Sequence, residues 1–544
     1  MTKHNDGDGI FARWMPEIVL SLLNNYSWRS LFCDIRAGLL VAVVAFPLFM
    51  TFAIASGVAP NIGITTCVVA GTIACLFGGA KFQIVGPTGA FAMIVYDIIN
   101  TKEFEGMTCA LIMAGIMMII FGITKIGDLI HYVPYPITAG FTAGIGLSIM
   151  TSQLSMFLGL HLDKNPTNFI ERLSCCVANI DTMNFYSFGL AAFSLAILVL
   201  IQKYKSKLPG YFIVLILSIL YSLVFDGKGI ETIGTKFGDI ANCNLINFSV
   251  PNDLFSPANL RNLFSSAFAI AFLGSLESLL GAVISDNLSG QKHRSNVELI
   301  GQGMANLGSA FFGGIPATCA LGTTSLNVKV GAKSPIAGLF NVLFIVLFVL
   351  CLGKFIKVVP LSALAAMLIF TAWNMASFKK NKYILLAPKS DSFVFIATIL
   401  ITLLVDIVAA VEVGIILSAF LFIRRAVEMT TTEISAKIVA SNKCGRANKD
   451  CECVRIHGHL FFGAAPLLND ALKSLPKTHE AIYIDMADVP FVDVSGAKVL
   501  KDFVAEIKDR NIEVIIGGLN KRTLKALKKM DLNHELQDCL PESA

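Results

Sequence analysis

Two stretches constrain the fold of this chain more than any others: Gly86-Pro87-Thr88-Gly89-Ala90-Phe91 and Gly314-Ile315-Pro316-Ala317-Thr318-Cys319-Ala320. Each lies inside an apolar segment and breaks it with Gly and Pro. In a bilayer every backbone N–H and C=O needs a partner, so such a break is tolerated only where it is buried in protein or lines a cavity. A helix that starts mid-membrane directs bare N–H groups and the positive end of its dipole at whatever lies in front of it, which suits an anion. Two such breaks at matching places in two halves of a chain point to a transporter's binding site.

Composition supplies the membrane. Of 544 residues, 55% are hydrophobic and only 15% charged, whereas soluble domains carry about 25% charged residues. The net charge of +5 suits basic cytoplasmic loops, and no nucleic-acid patch stands out. The 13 Cys are scattered, several of them inside apolar runs, where Cys behaves as a small hydrophobe. The first thirty residues carry Pro16, Asn24 and Asn25 without a clean apolar core, so no signal peptide is expected.

Apolar spans are expected at 35–58, 62–79, 84–100, 107–124, 128–154, 183–202 and 210–226. After a polar stretch from Asp226 to Arg261, seven more follow at 263–286, 297–313, 317–330, 336–353, 359–376, 391–407 and 409–427. With the N-terminus inside, the inner loops hold Lys81, Lys125, Lys203, Lys205, Lys207, Lys292, Arg294, Lys329, Lys333, Lys379, Lys380, Lys382 and Lys389. Outer loops hold few bases, the loop with Lys354 and Lys357 excepted. This is the positive-inside pattern for fourteen spans with both termini cytoplasmic. Seven spans per half is odd, so the halves insert with opposite orientation, as an inverted repeat.

The expected organisation is therefore a cytoplasmic N-terminal segment (1–33), a transmembrane domain (34–428), a linker (429–446) and a soluble domain (447–544). In the last, strands are expected at Cys453–Ile456, Ala481–Met486 and Glu513–Gly517, and helices around 465–475, 495–510 and 521–530. That alternation means a small α/β domain.

Several residues are candidates for chemistry. Glu277 sits in an apolar span, and an ionisable group there is a functional hypothesis by default. It could take up and release a proton during transport; the alternative is a hydrogen-bonded structural acid. Pro87, Thr88, Gly89 and Ala90, with Thr318, Cys319, Ala320, Thr323 and Thr324, line the two breaks. Their hydroxyls can donate to an anion, or else cap helices and pack. Gly140-x-x-x-Gly144 reads as tight packing within one chain rather than as a dimer motif. Cys444, Cys451 and Cys453, with His457 and His459 beyond, fit no standard zinc spacing and are expected to be free thiols. Neither a cofactor motif nor a nucleophile–base pair is present, so no enzyme is expected.

Taken in order, these residues resemble the SulP family of anion transporters with a cytoplasmic STAS domain. The match runs through Gly86-Pro87-Thr88, Phe272-Leu273-Gly274-Ser275-Leu276-Glu277-Ser278-Leu279-Leu280, Gly301-Gln302-Gly303-Met304-Ala305-Asn306, Asn327-Val328-Lys329 and Ala372-Trp373-Asn374-Met375. Asp485-Met486 and Asp493-Val494-Ser495-Gly496 resemble the STAS signature. The resemblance implies an α-helical polytopic membrane protein of fourteen spans in two inverted repeats, arranged as core and gate domains. It also implies a homodimer in the plasma (inner) membrane, secondary transport of a small anion, Glu277 as the coupling acid and a cytoplasmic protein partner for the STAS domain. Sulfate is the family expectation. Residues 140–146 and 373–375 look most like dicarboxylate-linked bacterial members, for succinate or fumarate, and bicarbonate is a further candidate.

Two departures matter. Many family members carry Arg where this chain has Thr323, and many sulfate-type members carry Gln where Leu48 follows Pro47. Without the Arg, an anion beside ionised Glu277 is repelled. A co-transported proton or sodium ion is the simplest remedy, and the loss favours a monovalent anion such as bicarbonate. An anion channel and a STAS-linked sensor are the alternatives from other classes. In related sporulation regulators the switch serine directly follows the Asp; here Val494 stands there, so Asp493 and Ser495 are expected to cap a helix instead.

Overall fold

The computed structural model describes residues 14–405 except 24–25, 128–134, 163–168, 205–207, 226–228, 239–247, 249–256, 377 and 387–388. Beyond these it describes scattered residues between 409 and 437, and then 451–461, 481–510 and 512–529. The expected helix at 465–475, most of the expected linker, Cys444 and much of the span at 409–427 lie outside the described residues. Two compact units divide the chain at Ile415/Ile416.

Among the described residues of the first unit, six helices are long and apolar enough to cross a membrane, and three shorter apolar helices accompany them. The first, Trp28–Ala55, is started by Ser27, whose hydroxyl accepts from Ser30 N–H. It begins before the expected boundary at residue 34 and passes through Pro47. An additional short helix, Glu17–Leu23, precedes it. Pro60 opens the next helix, Pro60–Phe77, where its missing N–H costs nothing. The spans expected at 84–100 and 107–124 are joined in Gly89–Ile123, which is interrupted at Glu103 with φ 58° and ψ −177°. A second unforeseen helix, Phe169–Ala178, is amphipathic with few buried residues.

The helices pack in two groups. Trp28–Ala55, Pro60–Phe77, Gly89–Ile123, Pro257–Ser289, Ser295–Phe311, Leu321–Val330 and Ile336–Ile356 pack on one another. Tyr135–Leu158, Phe185–Lys203, Gly210–Val224, Leu361–Ala376 and Lys389–Leu404 form the other set. Gly140 and Gly144 give close approach to Phe395 and Thr402 of this same chain, so the small-residue motif serves packing within it. Where the two breaks meet, β1 (Val85–Pro87) pairs antiparallel with β2 (Ala317–Cys319), with Gly86 opposite Thr318. Equivalent stretches of two repeats that pair antiparallel are related by a local two-fold axis.

The second unit holds a four-stranded sheet, in the order β3 (Ser435–Lys437), β4 (Cys451–His457), β5 (Ala481–Asp488), β6 (Glu513–Gly517). β4–β5–β6 are parallel, and β3 is antiparallel to β4. The expected strands are present. β3, however, lies inside the stretch read as a linker, so the sheet begins before residue 447. Helices Val494–Lys508 and Lys521–Lys529 follow β5 and β6. Asp493 caps the first, its Oδ1 accepting Gly496 N–H at 2.8 Å, while Ser495 stands inside the helix. The capping side chain belongs to the residue just before the first helical one, which is Asp493, and Ser495 is already past that place.

Candidate functional site

Both breaks become short strands that end at half-helix starts. Gly89–Ile123 begins behind the N-cap Thr88, and Leu321–Val330 behind the N-cap Ala320. Neither cap residue makes a side-chain cap bond, so apart from Phe91 N–H, which turns back to Thr88 O at 3.3 Å, the first N–H groups of both helices are open to another partner. Gly331, at φ 97°, closes the second half-helix in the left-handed region.

By the symmetry of the pairing, Thr88 and Ala320 occupy equivalent places, because both directly follow the paired strands, and Thr318 is the equivalent of Gly86. Thr318 sits within β2, fully buried; its hydroxyl donates to Gly274 O at 3.0 Å and lies 2.8 Å from Ser278 Oγ. Thr324 is equally committed: its Oγ1 accepts Ile84 N–H at 3.0 Å and lies 3.2 Å from Cys319 Sγ. Thr323 donates to Ala320 O at 3.0 Å. Pro87, Gly89, Ala90 and Cys319 are buried around the crossing, and Ala320 is half-buried. The site is therefore asymmetric, with a hydroxyl at one helix start and a methyl at the other.

Glu277 is brought to this hydroxyl. It lies on Pro257–Ser289, is 5% exposed, and its Oε2 accepts from Thr88 Oγ1 at 3.3 Å. Gly274, Ser278 and Gly281 of the same helix, spaced by four and three residues, meet β2: the first two bind Thr318, and Gly281 packs against Cys319. A side chain at Gly281 would overlap the Cys319 sulfur. Thus the face that seats the strand also sets Glu277 beside Thr88.

Sequence reasoning missed the polar frame around this crossing. Asn306 binds both edges of Ala317, accepting its N–H and donating to its C=O, at 2.9 Å each. Gln83 donates to Ser278 O at 2.5 Å, and Gln302 bridges Gln83 and Glu298. Asn327 donates to Phe82 O at 2.9 Å. Two buried carboxylates tether one half of the chain to the other. Glu298 Oε2 accepts from Gly79 and Ala80 N–H at 2.9 and 2.8 Å. Asp34, fully buried, accepts from Lys333 N–H, Ser334 Oγ and Tyr26 Oη, each at 2.6 Å. The signal was available: each is a polar residue inside or at the end of an apolar span, where an unpaired group is costly.

The sulfate permease family matches residues 31–398, and the STAS domain matches 446–541. The chain belongs to the sulfate permease family. This is a family of transporters, not enzymes, and its member here is a multi-pass integral membrane protein with a C-terminal STAS domain. "Putative sulfate transporter YvdB" of Bacillus subtilis is 37% identical over 512 residues, 94% of this chain and 96% of that one. "Bicarbonate transporter BicA" of Picosynechococcus is 27% identical over 545 residues, 94% of this chain and 93% of its own length. The solved transmembrane domain of a cyanobacterial BicA superposes with a TM-score of 0.64 at 27% identity, covering 71% of this chain and 98% of that one. The structure of SLC26A9 superposes with a TM-score of 0.85 at 17% identity, covering 96% of this chain and 90% of that one, and so shares the fold.

Proposed function

We propose that this sulfate permease family member is a cation-coupled secondary transporter that carries a small inorganic oxyanion between the half-helix starts at Thr88 and Ala320. The observation that carries the reading is the contact of Glu277 Oε2 with Thr88 Oγ1, 3.3 Å apart, at the start of Gly89–Ile123. A hydroxyl there can turn to a carboxylate or to an anion, but its single proton serves one at a time. Binding an anion therefore favours a Glu277 that is protonated or partnered by a sodium ion. A channel or a sensor has no need of such an acid.

Charge balance favours bicarbonate over sulfate, because no fixed cation replaces the Arg that many family members carry at Thr323. The name of the YvdB relative supports sulfate as the second reading. The relatives compared above are named for sulfate or bicarbonate, and none supports the dicarboxylate resemblance. The protein is further proposed to have fourteen spans, to work as a homodimer in the plasma membrane with both termini cytoplasmic, and to offer its STAS domain to a cytoplasmic protein.

The test is uptake into proteoliposomes of labelled bicarbonate, sulfate and succinate, at several pH and sodium values. Concentrative uptake of bicarbonate that requires a proton or sodium gradient is expected. Flux that persists with no cation gradient would point to a channel instead, and tight binding without flux to a sensor.

A further inference from the structure

A cavity of about 310 Å³ opens at the ends of the second helical group, away from the crossed breaks. Its polar lining includes Ser155, His161, Ser187, Glu231, Lys236 and Ser362. It gathers the beginnings of two helices. Phe185–Lys203 starts behind Asn184, whose Oδ1 accepts Tyr186 and Ser187 N–H. Leu361–Ala376 starts beside the segment 231–234, where Leu361 N–H donates to Glu231 O at 2.9 Å.

Ser362 is the informative residue. It stands at the second position of a 16-residue helix, is 3% exposed and lines the cavity. Its hydroxyl is buried and has no hydrogen-bond partner. A buried hydroxyl left unpaired costs about 1–3 kcal/mol, so a group that supplies an acceptor is favoured there. The positive end of the helix dipole makes that acceptor preferably anionic. At the rim Lys236 and His161 are exposed, as is Glu231, so the rim charges largely offset one another. Selection then falls to the buried hydroxyl and the helix start.

We infer that this cavity is a second site for a small oxyanion, held by Ser362 at the start of Leu361–Ala376 with Lys236 at its mouth. It lies at the opposite end of Phe185–Lys203 from Lys203. On the orientation proposed above, that end is extracellular, and the site collects anion on the side from which uptake begins. It shares no residue with the site at Thr88, so its existence does not depend on the transport mechanism.

The test is equilibrium binding to the purified full-length protein, with sulfate and bicarbonate titrated separately. Thr88→Trp blocks the crossed breaks and should retain one saturable site for at least one of the two anions. Ser362→Leu in that background should abolish this binding, and Lys236→Glu should weaken it by about tenfold, the scale of one charge-assisted contact. Unchanged melting temperature and a monodisperse elution profile establish that each variant is folded; if Ser362→Leu is not, Lys236→Glu alone decides. Loss of all anion binding in folded Thr88→Trp overturns the proposal, and so does binding that neither Ser362→Leu nor Lys236→Glu alters. If wild type and Thr88→Trp bind the same single anion and Ser362→Leu removes it, the second site stands and the reading at Thr88 fails.

Discussion

Gly281 and Cys319 touch so closely that no side chain fits between them: a Cβ on Gly281 would overlap the Cys319 sulfur. This contact seats β2 on Pro257–Ser289, one helical turn from Glu277. A small residue that lets a helix approach is expected in a membrane protein, where packing rather than water drives helix association. Here it fixes the distance between the acid and the crossed breaks.

Gly281→Ala should therefore lower the melting temperature and cut uptake several-fold. Cys319→Gly removes the obstructing sulfur, so the double variant should recover both beyond the sum of the single effects. Melting and uptake of the three variants form a complete cycle. Strict additivity would mean that the contact does not control the site.

Asp34 and Glu298 are expected to contribute stability rather than selectivity. Asp34→Ala leaves the N–H groups of Lys333 and Ser334 and the hydroxyl of Tyr26 without their acceptor. The loss should be about 2–3 kcal/mol, the scale of a bond to a charged group plus orphaned donors. Glu298→Gln keeps one amide oxygen for Gly79 and Ala80 and should cost less. Thermal unfolding in detergent measures both, and the ranking of transported anions should not move.

Removing the STAS domain should lower expression or rate without changing substrate preference, because no residue at the breaks belongs to it. The place of the cut matters. Truncation after 447 keeps β3 but deletes its partner β4, which leaves an unpaired edge strand. Truncation after 430 removes both. The shorter protein should elute as the cleaner species by size-exclusion chromatography, and uptake competition among anions should match the full chain.

Most of the fold was legible in the sequence because the bilayer enforces it. Apolar length located the helices, Gly and Pro located the breaks, and β-rich runs located β4, β5 and β6. What escaped depends on contacts between distant residues. The pairing of β1 with β2 makes Ala320, not Thr318, the equivalent of Thr88, a register that no spacing within one half reveals. The hydroxyl of Thr318 looked free in sequence, and Gly274, 44 residues away, claims it. β3 is three residues long, too short to carry a pattern of its own. Glu277 was legible for the opposite reason: a carboxylate inside an apolar span stands out whatever surrounds it.

The last prediction concerns Glu277 and the missing Arg. Each half-helix start offers roughly half a positive charge, so two starts offset about one negative charge. Ionised Glu277 together with a monovalent anion already exceeds that. On the proposed mechanism a proton on Glu277 or a sodium ion beside it would meet the shortfall, and a cation would then be obligatory for anion binding. Glu277→Gln imitates the protonated acid and can still accept from Thr88 Oγ1. It should bind anion but lose gradient-driven accumulation. Thr323 stands in the first turn after Ala320, where an Arg would bring a fixed positive charge to the second helix start. Thr323→Arg should partly relieve the need for the cation and shift preference toward sulfate. Uptake against pH and sodium, for wild type and both variants, measures this. If Glu277→Gln accumulates substrate with the pH and sodium response of the wild type, Glu277 is not the coupling residue, and its contact with Thr88 only holds the helices together.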